Sequence, residues 1–378
     1  METNLFDQSS IIVQKPTKTL SQNAAKIAVI GVGGGGCNMI NHMISEGTHK
    51  IDLIVANTDL QVLNLSQAPK KIQLGIELTR GLGAGMRPDI GRDSALESYQ
   101  EIRESLEGSD IVFIAAGLGG GTGTGAAAVV AKAAKEIGAL TVSVVTKPFK
   151  WEGKKRTGLA NLGLEELKKV SDSIIVIPND RLKNIIDKSI GMKDAFKVVD
   201  DVLYQAVNGM SEVILKPGSD DINVDFADVK TIMQHKGIAL MGIGKAKGDN
   251  SAQEALELAI KSPLLDEVSL ASAKGIMIHW TTNPNVSMFA ISDVMENINE
   301  MVEGNPEIIF GTTTDNNLDV DEIKITIVAT GFESSESFEP SENPSPSMPS
   351  IPVKTPNDED FYDTPPLMRG YSIKYKLN

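Results

Sequence analysis

The 378 residues carry 50 acidic against 36 basic side chains, a formal charge of −14, with 41% apolar and only 4% aromatic residues. This apolar share is close to the globular average, so the chain is expected to fold around a core, and its length suits two domains. The acidic balance and scarce aromatics exclude a surface that grips phosphate backbones and stacks bases, leaving nucleic acid an unexpected partner. One cysteine, Cys37, excludes an internal disulfide and a cysteine-based metal cluster, and it suits a reducing compartment.

Residues 1–23 are polar and aperiodic and read as a flexible arm, with Glu2 and Asp7 where a secretory leader is basic. No run reaches the length of a membrane span, so the chain reads as cytoplasmic. From 24 to 191, short β-rich runs (26–30, 53–56, 111–116, 140–145 and 174–177) alternate with helical stretches. That alternation predicts an α/β domain with a mainly parallel, Rossmann-like sheet covered on both faces. Over 192–217, Phe196, Val199, Leu203, Val207, Met210 and Ile214 recur at spacings of three and four, which predicts one long helix stopped at Pro217-Gly218.

A smaller α+β region follows over 218–331, with strands near 238–243, 275–281 and 323–328 and three helical patterns between them. Residues 333–366 hold eight of the 17 prolines and little apolar content. They place a disordered linker over 332–357. Residues 358–378 become richer again in hydrophobic and basic side chains, the pattern of a docking peptide on a tether.

Fourteen of 34 glycines fall in three clusters, Gly31–Gly36, Gly81–Gly85 and Gly117–Gly125. Glycine lets backbone N–H groups approach an anion, and a following helix adds the partial positive charge of its N-terminus. Gly31-Val-Gly33-Gly-Gly-Gly36 satisfies G-x-G-x-x-G after a strand, with Asp52 and Asp59 about 20 residues on. An NAD-dependent oxidoreductase using this loop is therefore an alternative. A second phosphate loop favours a nucleoside triphosphate instead, and Gly119-Gly-Gly-Thr-Gly-Thr-Gly125 lacks the lysine of a Walker loop.

This loop resembles the tubulin signature. Together with Gly33–Gly36 and Asn38, Ala56-Asn-Thr-Asp59, Gly81-Leu-Gly-Ala-Gly85, Lys147-Pro-Phe149, Glu152-Gly-Lys-Lys-Arg156, Ile177-Pro-Asn179, Asn223-Val-Asp-Phe-Ala-Asp228 and Val328-Ala-Thr-Gly331, it makes residues 24–331 resemble the tubulin/FtsZ family of GTPases. The resemblance implies the tubulin/FtsZ fold and a GTPase that forms head-to-tail filaments of the cytokinetic ring in bacterial cell division. Its domains are then a GTP-binding domain (24–191), a central helix (192–217) and a GTPase-activating domain (218–331), with disordered tails.

The resemblance also assigns residues. Gly34, Gly35, Gly36, Cys37 and Asn38, with Asn57, Ala84, Gly85, Gly121, Thr122, Gly123 and Thr124, surround the phosphates of GTP or GDP. Magnesium is held through those phosphates rather than by a protein metal site; whether K+ sits beside it stays open. Cys37 is either a small filler or, at a helix N-terminus, a thiol of lowered pKa. Glu152 and Arg156 contact ribose and phosphates, or form an ordinary i,i+4 pair. Phe196 stacks on the base, or belongs to the core stripe. Asp200 reads guanine, because a carboxylate accepts from its N1–H and N2–H₂ whereas adenine offers an acceptor.

Asn223, Asp225 and Asp228 enter the site of the next subunit and polarise the attacking water, while spacing alone favours helix capping. Partners implied are the chain itself and membrane-tethering or regulatory division proteins, FtsA-like, recognised through residues 358–378. Membrane contact is then indirect, at midcell beneath the inner membrane. Asp363, Pro365 and Arg369 match the family's docking peptide, whereas Leu367 and Met368 depart from it.

Overall fold

The computed structural model describes residues 25–48, 51–183, 189–215, 221–222, 224–235, 237–262, 265 and 270–332. The expected N-terminal arm, linker and docking peptide, and Asn223, lie outside the described residues. Ten strands form one sheet: β1 (Ile27–Val32), β2 (Ile51–Asn57), β3 (Lys70–Gln73), β4 (Ile111–Gly117), β5 (Leu140–Lys147), β6 (Ser173–Pro178), β7 (Ile238–Lys247), β8 (Gly275–Thr282), β9 (Glu307–Thr314) and β10 (Glu322–Phe332). Their spatial order is β3-β2-β1-β4-β5-β6-β7-β10-β8-β9.

The first six strands are all parallel. Their order reverses between β1 and β4, the switch point where open α/β sheets bind ligands outside the strands' carboxyl ends. The smaller domain joins through two rungs of β6 and β7, Ile174↔Ile238 and Ile175↔Ala239. It then turns antiparallel through β7, β10 and β8.

The helices are α1 (Gly33–Ser45), α2 (Leu60–Leu65), α3 (Ile76–Thr79), α4 (Pro88–Glu97), α5 (Tyr99–Leu106), α6 (Thr122–Glu136), α7 (Lys154–Val170), α8 (Asn179–Leu182), α9 (Met192–Leu215), α10 (Phe226–Met233), α11 (Ser251–Ile260) and α12 (Met288–Met301). None is long and apolar enough to cross a membrane.

Alternation along β1 divides the core of the larger domain. Ile27 and Val29 face α1 and α9, while Ala28, Ile30 and Val32 face α5, α6 and α7. Of the predicted stripe of α9, Val199, Leu203, Val207 and Met210 are buried and Ile214 is partly buried, and Val202, Ala206 and Val213 widen the buried face. At about 1.5–3 kcal/mol for each large apolar side chain, this is a principal reason the helix holds its place. Phe196, one turn earlier, departs from the stripe and is 37% exposed. A third cluster around the fully buried Trp280 packs α11 and α12 on β8 and β10.

Every strand expected from the sequence is present. β3 and β9 are additional, and they form the two edges of the sheet.

Candidate active site

The carboxyl ends of β1 and β4 lie side by side, with Val32 in register with Ala116. The helix after each strand begins on glycine-rich backbone: Gly33 opens α1 and Gly121 is the N-cap of α6. No side chain caps either end, so first-turn N–H groups of both helices are left to face a common ligand. The close approach requires glycine. Gly33 has φ 72°, and a Cβ there would lie 2.8 Å from Gly123 N; a Cβ on Gly36 would lie 2.4 Å from Ala115 O. Gly34, Gly35 and Asn38 are exposed beside this junction, as an anion cradle needs.

Cys37 points the other way. Its side chain is fully buried, and burial pushes the thiol up to about 11, outweighing a contact from Asn57 Nδ2 at 3.7 Å. The activated-thiol alternative is thereby corrected, because the helix N-terminus does not compensate for the loss of water around this sulfur.

The end of β2 supports the second loop. The Thr58 and Thr122 hydroxyls meet at 2.7 Å, and Thr124 Oγ1 accepts the Gly119 N–H at 2.8 Å. Both Thr122 and Thr124 are buried, and their hydroxyls are already engaged in holding the loop. Asn57 is buried with them, accepting the Asp59 N–H at 3.3 Å, while Asp59 caps α2.

The Gly81–Gly85 segment closes the same rim, since a Cβ on Gly121 would lie 2.8 Å from Ala84 Cβ. Its backbone is strained. Arg80, Gly81, Gly83, Gly85 and Met86 all have positive φ, and two of these residues are not glycine.

A third wall carries aromatic rings. Phe149 and Trp151 stack at 5.5 Å with 17° between planes, and Phe149 meets Phe196 edge-on at 5.9 Å. The Lys183 ammonium lies 5.6 Å from the Phe149 ring centroid. Glu152 and Arg156 do form an ion pair one turn apart. Glu152 also accepts the Phe149 N–H at 2.9 Å, and Arg156 lies against the signature loop, its carbonyl 3.0 Å from where a Gly119 Cβ would stand.

One turn beyond Phe196 on α9, burial raises the Asp200 carboxyl from 3.8 to about 6, with His42 pulling it partly back. His42, on α1, lies 3.4 Å from Asp201 and edge-on to Tyr204 at 5.6 Å.

Two residues of this site escape a sequence reading. Thr58 is one; the other is Asn179, buried at the carboxyl end of β6 with an Oδ1 that has no partner in the described protein. Both lie inside motifs that are visible in the sequence, Ala56-Asn-Thr-Asp59 and Ile177-Pro-Asn179.

Asp225 and Asp228 are elsewhere. Phe196 and Asp200 occupy the first turns of α9, whose 24 residues extend about 36 Å, and the acidic pair follows beyond its other end. Asp225 caps α10, its Oδ1 accepting the Asp228 N–H at 2.9 Å, and it is exposed. The capping role is real, and among the described residues the other oxygen of Asp225 takes no hydrogen bond.

Two family models match the chain, one on each side of α9 and α10. The tubulin/FtsZ GTPase domain matches residues 26–187 and the FtsZ C-terminal domain matches residues 237–333. An empty FtsZ dimer from M. jannaschii is 46% identical, with a TM-score of 0.76, over 82% of this chain and 90% of that one. The chain belongs to the tubulin/FtsZ family. It is a GTPase of the tubulin/FtsZ fold, and the dehydrogenase alternative for Gly31–Gly36 is left without support.

CetZ2 from Haloferax volcanii, solved as a GTPγS-bound protofilament, has a TM-score of 0.70 at 19% identity over 82% of this chain and 94% of its own. CetZ1 from the same organism, a GDP-bound monomer, is 18% identical with the same TM-score. These two likenesses concern the fold alone.

Proposed function

We propose that this member of the tubulin/FtsZ family is a self-assembling GTPase whose active site is completed between two subunits in a head-to-tail filament. The observation that carries the reading is the length of α9 between the phosphate loops and the acidic pair. Asp225 and Asp228 lie beyond the far end of the helix that carries Phe196 and Asp200. Stacking copies along that axis brings the acidic end of one subunit onto the nucleotide end of the next. Such a contact is heterologous and does not close, so it propagates as a filament.

In this mechanism the N–H groups of Gly34–Asn38 and Gly121–Gly123 hold the phosphates, and Thr122 and Thr124 fix the loop that presents them. Ala84 and Gly85 close the rim, Asn57 braces α1 against β2, and Glu152 with Arg156 borders the ribose side. Phe196 stacks on guanine, Asp200 accepts its N1–H and N2–H₂, and the unpartnered Asn179 Oδ1 adds an acceptor on the base side. Magnesium would be held through the phosphate oxygens beside the loop that Thr122 and Thr124 fix, and would supply charge neutralisation on the terminal phosphate. Asp228 and Asp225, with Asn223, then orient water on the neighbour's γ-phosphate.

Hydrolysis alters the contacts that hold the interface, so the nucleotide times polymer turnover. At a charge of −14, subunits repel one another and divalent cations favour assembly. The domains are a GTP-binding part (24–191), a central helix (192–217) and an activating part (218–331). In the cell this filament is the cytokinetic ring at midcell, held to the membrane indirectly by FtsA-like division proteins that recognise residues 358–378. The FtsZ dimer of M. jannaschii supports self-association.

The test is GTPase rate per molecule against protein concentration, with filaments checked by electron microscopy. A lag up to a critical concentration is expected. Constant turnover from dilute to concentrated solution overturns the reading.

A further inference from the structure

β9 is an edge of the sheet, yet at its carboxyl end the edge is occupied. The Thr312 N–H donates to Ile222 O at 2.9 Å, and the Ile222 N–H donates to Thr312 Oγ1 at 2.9 Å. One position outward, Asp221 takes both donors of Thr314: its Oδ2 accepts the Thr314 N–H at 2.9 Å and its Oδ1 accepts the Thr314 hydroxyl at 2.7 Å. Between these rungs and the acidic pair, Val224 fits flush on Gly311; a Cβ there would lie 2.4 Å from Val224 Cγ2 and 3.0 Å from Ile222 O. Val224 directly precedes Asp225, the N-cap of α10.

We infer that Asp221 and Thr314 are positioning residues for GTP hydrolysis: their two-point clasp, with the Ile222–Thr312 rung and the Gly311 seat, sets where Asp225 and Asp228 stand when a neighbouring subunit docks. The inference rests on the proposed role of that acidic pair. Four hydrogen bonds hold this short segment against β9, and two of them are accepted by one carboxylate. A carboxylate that binds an amide and a hydroxyl of the same residue fixes direction as well as distance. An acidic group that must approach within hydrogen-bond reach of a water on another molecule depends on that direction, since a displacement of about 1 Å costs on the order of a hundredfold in rate. The clasp lies on β9, in a different domain from the phosphate loops, so its loss leaves nucleotide binding intact.

The test uses the full chain with Thr314→Val, Thr314→Ser and Asp221→Asn. Affinity for GTP is measured on dilute protein with a fluorescent GTP analogue, polymer by sedimentation, and turnover per sedimented subunit at saturating GTP. Thr314→Val is expected to keep parental affinity and polymer yield while its turnover falls about tenfold or more. Thr314→Ser, which keeps the hydroxyl, restores turnover. The double variant Asp221→Asn with Thr314→Val falls no further than the worse single, because both remove one clasp.

Thr314→Val turning over GTP at the parental rate per sedimented subunit overturns the inference. So does a loss that Thr314→Ser does not restore. Should Thr314→Val fail to fold, Asp221→Asn carries the same comparison against the parent. Failure of the underlying reading is separately visible, as parental turnover that does not depend on concentration.

Discussion

The hydroxyls of Thr58 and Thr122 meet at 2.7 Å, joining the end of β2 to the first turn of α6 across 64 residues of sequence. Thr122 is buried, so removing its partner leaves a hydroxyl without one, at a cost of about 1–3 kcal/mol. Thr58→Val is expected to lower the melting temperature and weaken GTP binding, and Thr58→Ser to restore both. Calorimetry and nucleotide titration check it; parental affinity in Thr58→Val would separate the pair from the phosphate site.

Asp200 makes GTP affinity pH-dependent. Only the ionised carboxylate accepts two donors from guanine, and burial has raised its pKa to about 6. Affinity is expected to fall as pH drops through 6. The stability effect has the opposite sign. The folded state favours the neutral acid, so that stability is complete below the ordinary value of 3.8 and lost as pH rises through about 6. Asp200→Asn therefore melts higher than the parent at pH 7, by up to about 3 kcal/mol, while binding GTP weakly at every pH. The two proteins converge near pH 4, and equal melting temperatures at pH 7 would contradict the assignment.

Trp151 reports on the base site. It is 57% exposed and stacked on Phe149, which meets Phe196 edge-on, whereas Trp280 is fully buried in the other domain. GTP binding is expected to shift emission in the parent, and Trp151→Phe to abolish the shift while keeping the stack. A shift that survives Trp151→Phe would point to Trp280 instead.

Cys37 is expected to be inert. With a thiol near 11 and no exposure, alkylation at pH 8 should be far slower than for a free thiol, with or without GTP. Rapid labelling of the folded protein contradicts this.

The parallel sheet was legible because each inner strand is an apolar run between turn signals, and α9 because its stripe repeats at helical spacing. β3 escaped notice because only Ile72 of Lys70–Gln73 is buried. β9 escaped because it ends in three threonines, of which Thr312 and Thr314 spend their hydroxyls on the segment before the acidic pair. Glycine clusters disclose a phosphate site because the constraint is local to a strand end. The Thr58–Thr122 contact, the ladder from Trp151 to Phe196 and the Asp221–Thr314 clasp, 93 residues apart, exist only once the sheet is ordered. Asp225 shows the converse: capping and chemistry want the same residue type at the same place, and spacing alone cannot separate them.

Catalysis between subunits is tested most directly by mixing two defective proteins. Asp228→Ala keeps a complete nucleotide site and loses the acidic loop; Asp200→Ala weakens its own nucleotide site and keeps the loop. Each alone should hydrolyse GTP slowly. Mixed at equal concentration, at a GTP level that fills the Asp228→Ala site but not the weakened Asp200→Ala site, they are expected to exceed the sum of their separate rates, because the Asp200→Ala loop completes the site of an Asp228→Ala neighbour. A mixture that only matches that sum would contradict a site shared between subunits.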